Sequence, residues 1–85
     1  MQLVFDPNAP EDLRFWIEVD RRKALKIVAL IENILTSPFE GIGKPEPLKF
    51  ELAGCWSRRI DQEHRLVYKV EKQTLIVLAC RYHYG

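Results

Sequence analysis

The pattern of apolar and polar positions predicts two amphipathic helices in the first half of the chain. Residues 3–5 are consecutive apolar residues that predict a short first strand. Two stretches follow in which apolar side chains recur every three or four residues, the spacing of one helix face. The apolar positions are Leu13, Trp16 and Ile17 in the first stretch, and Ala24, Ile27, Val28, Ile31, Ile34 and Leu35 in the second.

Polar residues and prolines mark the ends of both predicted helices. Asn8 is expected to cap the first helix, with Pro10 in its first turn and Glu11 as the partner of a capping box. Asp20 is placed to cap the second helix. The segment 36–38, Thr-Ser-Pro, ends that helix because the residue before a proline disfavours helical backbone.

The second half of the chain predicts three strands. Their predicted bounds are Cys55–Ile60, His64–Val70 and Thr74–Tyr82, with polar loops at 61–63 and 71–73. The last strand is apolar on both faces, which favours a central position in the sheet. The order β-α-α-β-β-β predicts a single α+β domain over residues 1–85, a twisted and mainly antiparallel sheet with both helices packed on one face. The aromatic residues expected in the core or at its edge are Trp16, Trp56, Tyr68 and Phe39.

The lengths of the two hairpin loops decide which charged side chains share a face of the sheet. With an odd number of residues in each loop, Arg59 lies opposite Arg65. Arg65 then shares a face with Arg81 and His83, whereas Arg58 points to the other face as a surface or partner contact. No Asn-Gly or Asp-Gly pair demands a two-residue turn, so we predict odd loops.

Residues 39–53 carry glycines and prolines too densely for a regular element, and we expect an irregular loop. A loop of this length in a small domain is typical of a functional segment. Pro45 and Pro47 restrict the backbone on either side of Glu46. The two prolines therefore indicate that the Glu46 carboxylate is held in position.

The composition narrows the classes of protein. Hydrophobic residues make up 47% of the chain, which is typical of a folded globular domain. No apolar stretch approaches the roughly 18 residues of a membrane span, and no secretory signal is visible. Two cysteines are too few for a disulfide framework. We therefore expect a cytoplasmic domain that does not bind a membrane.

The distribution of charge favours a local anion site. Thirteen Lys and Arg residues against twelve Asp and Glu residues give a net charge of +1. A protein that coats nucleic acid by bulk electrostatics is usually more basic. Seven basic residues nevertheless fall in or beside the predicted strands. These are Lys44, Lys49, Arg58, Arg59, Arg65, Lys69 and Arg81.

The two cysteines and two histidines of the chain suggest a zinc site. Cys80 and His83 are three residues apart on the predicted last strand, so their side chains face opposite ways. Cys55 and His64 would complete the set, and we reject zinc on this geometry. Cys80 and Tyr82 are expected on the core side, and His64 is left as a structural or substrate-side residue.

Four runs of the sequence resemble the YoeB toxins of bacterial toxin–antitoxin systems, members of the wider RelE-like group. The runs are residues 38–49, 56–60, 63–68 and 80–84. They occur in the same order as in these toxins, and the similarity extends over essentially the whole chain without gaps. One departure is Gly85, which follows the tyrosine with which relatives commonly finish.

The resemblance implies a ribosome-dependent endoribonuclease that cuts mRNA in the ribosomal A site and is held inactive by an antitoxin. It implies that Glu46 is the general base, His83 the general acid and Arg65 the phosphate clamp. The residues that match supporting positions are Lys49, Arg59 and Tyr84. The expected partners are a YefM-like antitoxin, the ribosome with its mRNA, and operator DNA through the antitoxin only. A homodimer is left open, and no cofactor is expected.

The chemistry of these residues agrees with the resemblance. RNA cleavage without a metal needs a base for the 2′-hydroxyl proton, an acid for the leaving 5′-oxygen, and cations for the phosphoryl oxygens. Glu46, His83 and Arg65 supply one of each. Dependence on the 2′-hydroxyl predicts that DNA is not cut. Two alternatives stay open: a non-catalytic module that binds RNA or the ribosome, and a toxin-like corepressor that acts with its antitoxin.

Overall fold

The computed structural model describes residues 1–82 and has the α+β architecture that the sequence predicts. The helices are α1, Ala9–Val19, and α2, Arg21–Thr36. The strands are β1, Gln2–Phe5; β2, Glu46–Pro47; β3, Trp56–Arg59; β4, Arg65–Glu71; and β5, Thr74–Ala79. A 3₁₀ turn, Phe50–Leu52, lies between β2 and β3.

The sheet has the strand order β1-β5-β4-β3-β2, with β1 parallel to β5 and the other pairs antiparallel. Strand β5 has a neighbour on each side, as its two apolar faces predicted. The prediction that residues 39–53 are wholly irregular is wrong, because Glu46 and Pro47 pair with β3. Pro47 has no N–H to donate and is tolerated because β2 is an edge strand.

The hairpin between β4 and β5 has a two-residue turn, so the predicted three-residue loop is wrong. Glu71 lies opposite Thr74. Lys72 and Gln73 connect them with φ angles of 47° and 64°. Two consecutive positive φ angles are the requirement of a type I′ turn, whose twist matches the flanking strands. Neither residue is a glycine or asparagine, the residues that usually occupy this turn.

A β-bulge in β5 reverses the effect of this short turn. Val67 lies opposite Ala79, but its neighbour Tyr68 lies opposite Val77, so Leu78 is an extra residue in β5. The two-residue turn reverses the face of the sheet to which each side chain of β5 points, and the bulge reverses it again. Ala79, the one residue of β5 beyond the bulge, therefore faces as an odd loop would place it.

The core lies between the helices and one face of the sheet. Neither helix within residues 1–82 has the length and apolar character of a membrane span. Leu30 is fully buried although it was not among the predicted positions, whereas Ile17 and Val28 are exposed. The buried strip of each helix is thus narrower than its apolar face. The core residues include Trp16, Ile27, Leu30 and Ile34 from the helices and Leu66, Tyr68, Leu75 and Val77 from the sheet.

The two helix starts differ. Asp20 caps α2 as predicted, since its Oδ1 accepts a hydrogen bond from the Arg22 N–H at 3.1 Å. The predicted cap of α1 is wrong, because the Asn8 side chain makes no capping bond. Asp6 forms the turn instead. Its carboxylate accepts from the Asn8 N–H at 3.4 Å, and its carbonyl accepts from the Ala9 N–H at 2.9 Å.

The chain leaves the sheet earlier than predicted, because β5 ends at Ala79 rather than at Tyr82. Cys80 is fully buried on the core side, as expected. Burial, together with the nearby Asp12 carboxylate, raises the pKa of the Cys80 thiol to about 12. Tyr82 was expected on the core side but is 54% exposed. Its φ angle of 68° turns the backbone out of the strand direction.

Arg81 is held against α1 instead of sharing the face of Arg65. Its guanidinium carbon lies 3.4 Å from the centre of the Phe15 ring and 4.6 Å from the centre of the Tyr82 ring. Phe15 packs against the core from the helix layer. The predicted facing of Arg81 is therefore wrong, because strand alternation does not continue beyond Ala79.

Candidate active site

Glu46 stands on the open face of the sheet. It lies opposite Ser57, which lies opposite Val67 on the next strand. Directly opposed residues project to the same face. That face is the one away from the helices, because the flanking residues Leu66 and Tyr68 pack in the core with them. Glu46 is exposed on an edge strand, and no group within residues 1–82 donates a hydrogen bond to its carboxylate.

Two arginines stand on the same face as Glu46. The predicted pairing of Arg59 with Arg65 is confirmed. Arg59 follows Ser57 by two residues along β3, so both face the same way. Strands lie about 4.8 Å apart and each residue advances about 3.3 Å, which puts the Cα atoms of Glu46 and Arg65 about 12 Å apart. A carboxylate and two guanidinium groups therefore face a common space.

Arg65 is oriented by the loop that precedes it. Its Nη1 donates hydrogen bonds to the carbonyl oxygens of Asp61, Gln62 and His64 at 2.8, 3.3 and 3.1 Å. All three carbonyl oxygens accept from the same nitrogen, Nη1. Nε and Nη2 have no hydrogen-bond partner among residues 1–82, and a planar guanidinium can offer two such donors to one oxyanion. Arg65 can therefore bind a phosphate without losing its anchor.

The remaining predicted residues are not assigned to this face. Lys49 is exposed at the start of the 3₁₀ turn, where its backbone is extended and outside β2. His83 and Tyr84 lie outside the described residues. Within residues 1–82, no three His, Cys, Asp or Glu side chains come together in a way that could hold a metal ion.

Arg58 is the functional residue that the sequence prediction placed wrongly. It was expected at the surface or in a partner contact, but it is fully buried. The parity that puts Arg59 on the open face puts its neighbour Arg58 towards the helices, and Arg58 indeed lies opposite the core residue Leu66. That signal was present in the sequence. The prediction followed the general preference of arginine for the surface instead of the strand parity.

The Arg58 guanidinium holds the segment that leads from α2 towards Glu46. Nη2 donates to the carbonyl oxygens of Ser37 and Glu40 at 2.7 and 3.1 Å, and Nη1 donates to that of Ile42 at 3.0 Å. Nη1 also donates to the Asn33 side-chain oxygen. A buried charge is tolerated only when its donors are satisfied in this way. Arg58 therefore fixes the path of residues 37–42.

Tyr68 extends this network. Arg58 Nε donates to the Tyr68 hydroxyl at 3.3 Å, and that hydroxyl donates to the Pro38 carbonyl at 2.6 Å. Burial raises the pKa of Tyr68, and the Arg58 charge opposes this shift only in part. The phenol therefore stays protonated at neutral pH and keeps the proton that it donates to Pro38.

Gly43 lets the segment pass close to the sheet before it reaches β2. Its φ angle is 81°, and a Cβ there would lie 2.7 Å from Leu30 Cδ2 and 3.3 Å from the Arg59 carbonyl oxygen. The Gly43 carbonyl accepts a hydrogen bond from the Arg59 N–H at 2.6 Å. Backbone contact with β3 thus begins three residues before Glu46.

Replacing Arg58 by methionine is expected to lower the free energy of unfolding by about 3–5 kcal/mol, because hydrogen bonds from a charged donor contribute about 1.5–3 kcal/mol each. The reason is that the carbonyl oxygens of Ser37, Glu40 and Ile42 would lose the charged donor that they share. Urea unfolding followed by circular dichroism measures the loss. Arg59→Met is the matched control and should change stability by less than about 0.5 kcal/mol, because Arg59 is exposed. Equal stability of the two variants would contradict the role of Arg58.

The chain is similar over nearly its whole length to a family of toxins. A sequence profile of the YoeB-like toxins of bacterial type II toxin–antitoxin systems matches residues 5–84. The chain is 56% identical over 80 residues to Toxin YoeB of Mycobacterium bovis, covering 94% of each protein.

This chain is also similar to YoeB toxins whose structures have been solved. The YoeB dimer from Staphylococcus aureus has a TM-score of 0.91 and 42% identity, covering 99% of this chain and 98% of that one. YoeB in the heterotetrameric YoeB–YefM toxin–antitoxin complex from Staphylococcus aureus has a TM-score of 0.89 and 42% identity, with the same coverage of each chain.

Proposed function

Since the chain belongs to the YoeB-like toxins of bacterial type II toxin–antitoxin systems, we propose that it is a ribosome-dependent endoribonuclease that cuts mRNA in the ribosomal A site. The observation that carries the proposal is the common face of Glu46, Arg59 and Arg65. A carboxylate that faces the same space as two cations is suited to proton abstraction next to a phosphate.

The proposed reaction is a transfer of the phosphoryl group within the RNA strand. Glu46 removes the proton of a 2′-hydroxyl, and the oxygen attacks the adjacent phosphorus. The bond from phosphorus to the 5′-oxygen breaks as His83 gives that oxygen a proton. The products are a 2′,3′-cyclic phosphate and a 5′-hydroxyl. The strand loses no atoms and needs no redox partner or cofactor.

The arginines are proposed to stabilise the charge that develops on the phosphoryl oxygens. Arg65 is the phosphate clamp because its Nη1 is fixed by three carbonyl oxygens while Nε and Nη2 remain available among the described residues. Arg59 is a supporting cation on the opposing strand. Lys49 and Tyr84 are proposed as further contacts to the RNA, where an aromatic ring can stack on an unpaired base.

A YefM-like antitoxin is the proposed protein partner. YoeB of Staphylococcus aureus forms a complex with YefM, and this chain matches that YoeB over 99% of its length. By the same similarity to the YoeB dimer, we propose that the chain can also form a homodimer. We further propose that it reaches operator DNA only through the antitoxin and acts in the cytoplasm, where the ribosomes are.

The experiment is cleavage of a defined mRNA on translating ribosomes, with the new ends mapped by primer extension. We expect cuts within the codon in the A site, a 5′-hydroxyl on the downstream fragment, and no cuts when the ribosomes are left out. The Glu46→Gln and His83→Gln variants serve as controls. Translation arrest by these variants with mRNA intact would favour a non-catalytic ribosome-binding module. Operator binding with the antitoxin, without toxicity of the chain alone, would favour a corepressor.

A further inference from the structure

The backbone of Tyr82 is held on both sides by residues of the hairpin loop and β4. The Tyr82 N–H donates a hydrogen bond to Nδ1 of His64 at 2.8 Å, and the Tyr82 carbonyl accepts one from the Arg65 N–H at 2.9 Å. Tyr82 has a left-handed φ angle of 68°, which is uncommon for a residue other than glycine. A conformation of this kind persists when the surroundings fix it. The two hydrogen bonds supply that fixation.

His64, which accepts the hydrogen bond from the Tyr82 N–H, is itself fixed by its neighbours. The His64 N–H donates to Oδ1 of Asp61 at 2.6 Å, and Lys23 Nζ lies 3.3 Å from Oδ2 of the same carboxylate. Burial alone would raise the pKa of Asp61, but hydrogen bonds from the His64 and Glu63 N–H groups and the Lys23 charge outweigh it and lower that pKa. The His64 ring meets the Trp16 ring edge-on at 4.8 Å, and its side chain is only 14% exposed.

The hydrogen bond from Tyr82 determines how His64 can act. Because Nδ1 accepts the hydrogen bond from Tyr82, it carries no hydrogen of its own in this arrangement, and the ring hydrogen is on Nε2. The acceptor atom therefore fixes a backbone position rather than exchanging protons with a substrate. Tyr82 directly precedes His83 in the chain.

We propose that His64 is a positioning residue: its Nδ1 fixes the Tyr82 peptide and with it the backbone from which His83 continues. This inference rests on the proposed function, in which His83 is the general acid. A proton donor misplaced by about 1 Å can cost about 10²-fold in rate. From the sequence alone His64 was a structural or substrate-side residue, and its contacts with Tyr82 now favour the structural role.

The alternative is that His64 matters only as a ring packed on Trp16, and substitutions separate the two roles. His64→Phe keeps a ring against Trp16 and removes the acceptor. His64→Asn keeps an acceptor in place of Nδ1, because Asn Oδ1 and His Nδ1 are both bonded to Cγ, and it removes the ring. His64→Gln places its oxygen one atom further out and controls for a misplaced amide.

If His64 acts by positioning, His64→Asn should cut mRNA faster than His64→Phe, although His64→Phe should be the more stable of the two. His64→Phe should unfold near the wild-type urea midpoint but cut mRNA on ribosomes about 10- to 100-fold more slowly. His64→Asn should be less stable yet keep most of the wild-type cleavage rate, with His64→Gln slower than His64→Asn. Wild-type cleavage by His64→Phe, or an equal loss of rate in folded His64→Asn and His64→Phe, would overturn the proposal.

A double-mutant comparison shows whether His64 acts through His83. In the His83→Gln background, His64→Phe should cost little further rate, because the acid that it positions is already gone. The same fold-loss in both backgrounds would overturn the proposal. Wild-type cleavage by His83→Gln itself would instead refute the proposed acid. An inactive His83→Gln with a fully active His64→Phe refutes only the positioning role.

Discussion

Replacing Glu46 by glutamine is expected to slow mRNA cleavage on ribosomes by about 10²- to 10⁴-fold, the usual contribution of a general base. Glutamine keeps the size of the side chain but cannot take the 2′-hydroxyl proton. Glu46 is exposed on an edge strand, so the substitution should leave the fold intact. The rate is measured in a single turnover with the variant in excess over ribosomes, which separates chemistry from binding.

Glu40→Gln is the matched control for this prediction. Glu40 is an exposed acid in the same segment, and only its backbone carbonyl is used, as an acceptor for Arg58. Its cleavage rate should equal that of the wild type. If Glu46→Gln and Glu40→Gln both cut as fast as the wild-type protein, another group must be the base.

Replacing Arg65 by alanine is expected to slow cleavage by about 10²- to 10³-fold, the loss that follows removal of one charge-stabilising donor. Arg65→Lys should recover part of the rate, because it restores the charge without the planar pair of donors. The single-turnover rate at saturating protein measures this loss. The affinity for ribosomes is measured separately, so that weaker binding is not mistaken for slower chemistry.

Two measurements keep the Arg65 result interpretable. Arg65 also holds the carbonyl oxygens of Asp61, Gln62 and His64, so the urea midpoint of each variant must be determined. Arg14→Ala removes an exposed arginine from α1 and controls for loss of overall positive charge. An Arg65→Ala protein that folds, binds ribosomes and cuts at the wild-type rate would remove Arg65 from the site.

The common face of Arg59 and Arg65 could be predicted, whereas the direction of the Arg81 side chain could not. The three-residue loop at 61–63 is present, since the Ile60 N–H donates to the His64 carbonyl, and it pairs Arg59 with Arg65. The second hairpin was predicted with the wrong turn, and the bulge at Leu78 compensates only as far as Ala79, where β5 ends. Hydrophobic alternation cannot reveal such a bulge, because β5 is apolar on both faces.

The two supporting networks could not be predicted, for a different physical reason. Arg58 is buried because acceptors from Asn33 to Ile42 converge on it, and the path of that segment is set by tertiary packing. His64 and Tyr82 are 18 residues apart and meet only because the chain turns out of β5 after Ala79. The pattern of apolar and polar positions assigns residues to strands. The contacts of Arg58 and of His64 depend instead on the path of the loops.

The most direct measurement uses an mRNA with one deoxynucleotide on the 5′ side of the bond that the protein cuts on the ribosome. Removing that single 2′-hydroxyl removes the nucleophile and changes nothing else in the message. We predict that the modified bond stays intact, while the unmodified mRNA is cut and yields a 2′,3′-cyclic phosphate and a 5′-hydroxyl. Cleavage of the modified bond at the rate of the unmodified bond would show that Glu46 does not activate a 2′-hydroxyl.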